Sequence, residues 1–252
     1  MSLKERNDMR TVVLSRIAIL AVALSVVAPP LAVAQTRLQP GMNFFSLQDD
    51  VEIGRRSAYE VERRYRTSTN ARVTGIGQRL ASRSSMPNLP WRFRVIEMPQ
   101  VNAFALPGGF VYITSGLLRR VRNDSELAGV LAHEITHVTL RHGTNQASKA
   151  MLAQMPLQIL SGMLGNGAVS MLARLGIGFG LNSLFLRYGR TAETQADVGG
   201  VQLMRRAGYN PNGMVSFLGT LKGNGSEFFS DHPNPSHRVE RIEKEIKMLT
   251  RR

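Results

Sequence analysis

Apolar residues recur along this chain with two different periods, and each change of period marks a new element. Val51, Ala58, Val61 and Tyr65 return at near-helical spacing up to about Arg66. Ser46 and Asp49 form a capping box that opens this helix. A second helix is predicted from Ala71 to Ser82, and Pro87 and Pro90 punctuate the loop after it. Trp91 to Glu97 alternates and is rich in strand formers. Asn102 to Ala105, Pro107-Gly108-Gly109 and Phe110 to Thr114 read as strand, tight turn and strand. Asp124 or Ser125 can cap a helix running to about Gly143. Further helices are predicted from Tyr188 to Arg206, after Asn210-Pro211, and from about Pro235 to Thr250. The last has Val239, Ile242, Ile246 and Leu249 inward, and residues 222–235 before it read as a loop.

Two stretches break the pattern. Residues 1–34 carry Lys4, Arg6, Arg10 and Arg16, then an apolar run from Ile17 to Val27, then Pro29-Pro30 and Ala32-Val33-Ala34. This is the layout of a cleaved signal peptide, and the run is shorter than the ~20 apolar residues a bilayer requires. The domain proper is then 35–252, exported to the periplasm. Residues 151–186 hold a single charge, Arg174, and are rich in Met and Gly. Their pieces are short and interrupted, so a flexible apolar hairpin over a cleft is expected rather than two membrane spans.

Composition narrows the chemistry. The chain has 252 residues and no cysteine, which excludes disulfides, thiolate metal sites and cysteine nucleophiles. The formal charge of +14 suits an anionic surface, and a basic membrane-surface or nucleic-acid binder is the reading that charge alone supports. The basic residues are scattered and alternate with acids, however. With no basic-aromatic motif present, no nucleic acid is expected as a partner, and a peripheral contact with the membrane is.

The chemistry centres on His133-Glu134-Ile135-Thr136-His137. On a helix the two histidines share a face and can grip one Zn2+, while Glu134 lies on the open side to take a proton from water. Zinc wants a third protein ligand. A third histidine six residues after His137 is ruled out by Gly143, and His142, one residue short of that position, is expected to face away. Glu193 and Asp197 are four apart in a strong helical segment. Glu193 is the candidate ligand, and Asp197 the acceptor for the other N–H of a ligand histidine. Gly199-Gly200 suggests close helix packing there.

Four segments together resemble one family: Val101 to Gly109 with Gly116-Leu117-Leu118, His133 to His142, Glu193 to Asp197, and His232-Pro233 with Arg238. In their order and spacing the chain is similar to the secreted bacterial HtpX/BepA/Oma-like branch of the gluzincin zinc metalloproteases, peptidase family 48 of the metallopeptidases. The resemblance implies an α+β, mainly helical zincin-type domain with a small β-sheet whose edge strand lines the active site. It implies that Asn102, Ala103, Phe104 and Ala105 receive a substrate peptide by strand addition. His232 would approach the metal, donating to the oxyanion or capping zinc at rest. Arg238 would stabilise developing charge or hold the region of the third ligand. The implied function is a zinc-dependent endopeptidase of the cell envelope that acts on unfolded or misassembled (outer-)membrane proteins in quality control. The alternative is a chaperone-like binder of such proteins with minor proteolysis.

Overall fold

The computed structural model describes residues 35–154, 188–221, 232 and 237–250. The signal-peptide reading of residues 1–34, most of the apolar stretch 151–186 and the loop 222–235 apart from His232 lie outside them. The elements, in order, are α1 (Leu47–Arg64), β1 (Thr67–Ser68), α2 (Ala71–Ala81), β2 (Arg92–Ile96), β3 (Ala103–Leu106), β4 (Phe110–Thr114), α3 (Ser115–Arg120), α4 (Asp124–Thr139), α5 (His142–Gln154), α6 (Arg190–Arg206), α7 (Asn212–Leu221) and α8 (Arg238–Thr250). The architecture is α+β, with helices dominating a four-stranded sheet, as expected. Among the described residues no helix is long and apolar enough to cross a membrane.

The sheet order is β1-β2-β4-β3, with β2 and β4 parallel and the two outer pairs antiparallel. Both faces are covered, and the period of two along each strand assigns side chains to one cover or the other. Phe93, Val95, Ala103, Ala105, Val111 and Ile113 join the main core, built with α2, α4, α6, α7 and α8. Phe104, Leu106, Phe110 and Tyr112 face the opposite way and pack with Ala58 and Val61 of α1. The β3–β4 turn is made by Gly108 and Gly109 at positive φ (75° and 106°), where glycine pays no steric penalty.

Local signals set most helix ends. Ser46 and Asp49 make both halves of the predicted capping box. Helix α4 is capped by Asn123, one residue before the expected cap, because its side chain reaches the Glu126 N–H. The predicted helix to Gly143 is in fact two helices. The first ends at Thr139, Arg141 takes a left-handed φ of 57°, and α5 starts at His142. The break is held from outside. The Arg141 guanidinium donates to the Asp50 carboxylate at 2.6 and 3.0 Å and to the carbonyls of Phe45 and Ser46.

Glycines let α4 and α6 approach closely, as Gly199-Gly200 suggested. A Cβ at Gly199 would lie 2.5 Å from Thr136 Cγ2, and one at Gly200 would lie 2.7 Å from Met214 Cε and 3.2 Å from the His133 nitrogen. On the other cover, a Cβ at Gly54 of α1 would lie 1.9 Å from the Pro107 carbonyl oxygen, which belongs to the backbone and cannot swing aside. Gly54→Ala gains ~1 kcal/mol of helix propensity but meets an overpacking penalty of about 1–3 kcal/mol, here at its upper end. The variant is therefore expected to unfold at lower urea concentration than the parent. An unchanged midpoint would mean that α1 does not rest on the β3–β4 turn.

Candidate functional site

Helix α4 is buried along nearly its whole length, including His133, Glu134 and His137. Helix α6 lies against it and presents Glu193 and Asp197, both buried, while His232 comes in from between α7 and α8. The Nε2 atoms of His133 and His137 are 3.0 Å apart. Glu193 Oε2 is 3.5 Å from His133 Nε2, and its Oε1 is 3.4 Å from His137 Nε2. His232 Nδ1 is 3.2 Å from Glu193 Oε1 and 3.3 Å from His133 Nε2. Ligand atoms of His133, His137, Glu193 and His232 all lie within 4.8 Å of one another. A tetrahedral zinc site with bonds near 2.0–2.1 Å has ligand-to-ligand edges of roughly 3.3 Å, and the shorter spacings here match that figure.

The polar accounting also fits a cation. Both oxygens of Glu134 and Oε2 of Glu193 are fully buried and accept no hydrogen bond from the described residues. Buried acceptors left that way are costly, and a metal ion with its water satisfies them. Burial works against charge on His133, but the Asp197 hydrogen bond and Glu193 outweigh it and push its pKa up to about 9. Burial also works against Glu193, yet His232 and the neighbouring His133 and His137 rings hold its carboxyl far below the usual range. His232 is shifted upward by Glu193 and Glu134 against burial, whereas His137 is driven well down by burial. Glu134 is shifted up by burial. The pocket therefore favours positive charge at its centre. His, His and Glu are borderline and hard donors of the kind zinc accepts.

A second layer orients the donors. His133 Nδ1 donates to Asp197 Oδ1 at 3.0 Å, the contact expected from the spacing of the two acids. Arg238 donates to the two Asp197 oxygens at 2.7 and 2.8 Å and lies 3.5 Å from Glu193 Oε2. It thus contacts both carboxylates of α6. Substrate candidates Ala103, Phe104 and Ala105 lie on or at the start of edge strand β3, and Asn102 just precedes it. His232 Nε2 donates to the Ala103 carbonyl at 3.2 Å, so the strand and the metal cluster adjoin.

Two neighbours of the site were not foreseen. His142 does not face away: it is buried, and its Nδ1 is 2.9 Å from His137 Nδ1. It does not join the ligand cluster, but the left-handed turn at Arg141 swings it back onto His137, which a continuous helix would not do. Tyr188 is buried with its ring stacked on His137, centroids 4.0 Å apart. A lone tyrosine at the start of a predicted helix carries no signal of this in the sequence.

A helix bearing His-Glu-x-x-His, completed by a glutamate from a second helix, defines a zinc metallopeptidase domain. The family model described as Peptidase family M48 matches residues 67–246, from β1 into α8, and the chain belongs to this family. It is similar to the beta-barrel assembly-enhancing protease of Yersinia pestis, 33% identical over 182 residues that make up 66% of this chain and 37% of that protein. The protein of the same name from Escherichia coli (strain K12) is 31% identical over 179 residues, again 66% of this chain and 37% of the relative. The mitochondrial metalloendopeptidase OMA1 of Schizosaccharomyces pombe is 30% identical over 181 residues, 69% of this chain and 52% of the relative. The matches thus span only about a third to a half of the length of these relatives.

Arg238 and Asp197 are both about 3% exposed, so solvent screens their pairing little. Removing one partner of a buried pair costs about 3–5 kcal/mol, because the other charge stays uncompensated. Arg238→Met is expected to lower the stability of the metal-free protein by that order in urea denaturation. Asp197→Asn introduced alongside it should restore part of the loss. No recovery in the double variant would assign the loss to packing of the arginine stem instead.

Proposed function

We propose that this domain is a zinc-dependent endopeptidase of the bacterial cell envelope that hydrolyses unfolded or misassembled (outer-)membrane proteins. The observation that carries the reading is Glu134. Its two carboxylate oxygens are buried without hydrogen bonds from the described residues beside a cluster of four metal-ligating groups, and the edge of strand β3 runs past the same point. His133, His137 and Glu193 are the proposed ligands. Zinc, when bound, supplies Lewis acidity and brings the pKa of its water to about 7.

The protein's own groups then do the following. Glu134 accepts a proton from the attacking water and delivers it to the nitrogen of the leaving amine, so the products are a carboxylate and an amine. Burial raises the Glu134 pKa, which brings it closer to the range a proton shuttle needs. Strand β3 binds the substrate backbone. Thr114 N–H bonds the Asn102 carbonyl, so the alternating groups of Ala103 and Ala105 point to the free edge, where a peptide can add as a further strand. His232 occupies that edge by donating to the Ala103 carbonyl while its other nitrogen faces the cluster. A peptide adding to β3 competes for this carbonyl, which would free His232 to move from a resting cap to a donor toward the oxyanion. Arg238 acts through Asp197 and Glu193.

The substrate class and location rest on less direct support. The relatives from Yersinia pestis and Escherichia coli carry the name beta-barrel assembly-enhancing protease, which supports proteins that assemble as β-barrels as targets. The basic and apolar pattern of residues 1–34 supports export to the periplasm. The charge of +14 supports a peripheral contact with anionic lipid.

Incubating the purified protein with an unfolded outer-membrane protein, with and without a chelator, tests the reading. Cleavage is expected to stop with the chelator and to return with zinc. Glu134→Gln should keep zinc and lose hydrolysis by about 10²–10⁴-fold, since proton transfer is the contribution removed. Binding of the unfolded protein without any cleavage, in parent and variant alike, would instead favour a chaperone-like binder.

Zinc titration separates the acids of α6. Glu193→Ala removes a proposed ligand and should weaken zinc binding more than Asp197→Ala, for which a loss of ~10–100-fold is expected from orientation alone. Undiminished affinity in Glu193→Ala would overturn its assignment as a ligand.

A further inference from the structure

We propose that His142 and Gln195 are positioning residues that hold His137 in the one tautomer able to ligate metal. The proposal rests on the zinc-site reading above and concerns the side of His137 that faces away from the cluster. Nε2 of this ring points at His133 and Glu193, and Nδ1 points at His142 Nδ1, 2.9 Å away. Two neutral imidazole nitrogens at that distance form a hydrogen bond only if one carries a proton and the other a lone pair. The rest of the chain of contacts decides which is which.

Gln195, on α6 between Glu193 and Asp197, reaches the carbonyl of Gln39 with its Nε2 at 3.2 Å. A backbone carbonyl only accepts, so the amide NH2 must face Gln39 and the amide oxygen must face the other way. That oxygen is 3.1 Å from His142 Nε2, which must therefore be protonated. A neutral His142 then has its lone pair on Nδ1, so His137 donates from Nδ1–H. Its Nε2 is left with a lone pair aimed at the cluster. Reversing any link would put a proton on His137 Nε2, where it would point at His133 Nε2, 3.0 Å away, and block coordination.

The two ligand histidines are thus oriented by different means. His133 donates to a carboxylate whose charge Arg238 neutralises, whereas His137 donates to a neutral imidazole that ends on a neutral amide. The second relay adds no charge to the centre. It depends on tertiary structure at both ends. His142 is delivered by the break at Arg141, which Asp50 holds, and Gln195 is oriented by the lead-in segment before α1. Tyr188 stacks on the His137 ring and limits its rotation. A buried histidine that only filled space would have no reason to meet an amide whose own orientation is forced.

The test uses the full chain. His142→Leu keeps much of the volume and removes the acceptor. His142→Asn places a side-chain oxygen near the former Nδ1. Gln195→Met removes the amide and leaves the His142 ring in place. Zinc affinity, measured by competition with a chromogenic chelator, is expected to fall about 10–100-fold in His142→Leu and to recover largely in His142→Asn. Nitrogen-15 spectra of histidine-labelled, zinc-loaded parent protein should show His137 protonated at Nδ1. In Gln195→Met without metal, His137 should become a mixture of tautomers. Parent-like zinc affinity in His142→Leu would overturn the proposal, as would a parent protein with its His137 proton on Nε2. If His142→Leu does not fold, judged by circular dichroism, Gln195→Met decides: an unchanged tautomer with unchanged affinity overturns the proposal. A parent protein that binds no zinc at all would overturn the zinc reading itself, a result distinct from each of these.

Discussion

The structure depends on one electrostatic constraint: charged groups are packed where almost no water reaches. Glu134, Glu193, Asp197, Arg238 and three histidines are each no more than about 3% exposed. Uncompensated, such groups cost several kcal/mol apiece. Arg238 answers Asp197, but among the described residues nothing of fixed positive charge answers Glu134 and Glu193 in full. His133 and His232 shift upward in partial compensation, whereas burial keeps His137 neutral. A divalent cation at the point where four donors meet relieves the imbalance and satisfies the orphaned oxygens. The interior is thus arranged around a charge that the metal supplies, and for such a site metal binding contributes to folding as well as to chemistry.

Holding that arrangement requires two helices to approach more closely than ordinary side chains allow. Gly199 and Gly200 of α6 lie against Thr136 and against the backbone at His133 of α4, and larger residues at these positions would separate His133 and His137 from Glu193. The sheet sets the third side. Its strands are covered on both faces, yet among the described residues β3 is an edge strand beside the histidine cluster, with the Ala103 carbonyl bonded to His232. An edge strand next to a preorganised site suits a reaction on an extended chain, where backbone bonds supply affinity without demanding a particular side chain.

The site also shows how distant sequence segments are tied to one centre. The described residues before α1 orient Gln195, hold Arg141 through the carbonyls of Phe45 and Ser46, and bond Glu245 of α8 through Thr36. Glu245 in turn accepts from Gln202 of α6. This strap links α4, α6 and α8 from behind. It gives the lead-in, which by pattern is only an extended segment, a structural role in the geometry of the metal site.

How much of this could be read from the sequence follows from the range of the interactions involved. The pairing of His133 with His137, the place of Glu134 beside them, and the capping box at Ser46 are legible because helical geometry settles them within a turn. Glu193 and Asp197 are legible as a pair for the same reason, and their relation to the histidines came from the order of motifs rather than from any local force. The alternation of Trp91 to Glu97 predicts β2, and the turn signal Pro107-Gly108-Gly109 between two runs of strand formers predicts β3 and β4, because both signals are local. The two-residue strand β1 and the short helix α3 carry too little periodicity to be seen. The place of His142 is not legible, because five residues past His137 on an unbroken helix points elsewhere. The break that returns it is enforced by Asp50, 91 residues away, and no local pattern records that contact. Tyr188 over His137, His232 on the Ala103 carbonyl and the amide orientation of Gln195 are of the same kind. The donor types and their spacing within each helix follow from the order of residues and helical geometry. Which nitrogen of each ring faces the cluster is settled by folding, because the partners come from segments far apart in the chain, 156 residues in the case of Gln39 and Gln195.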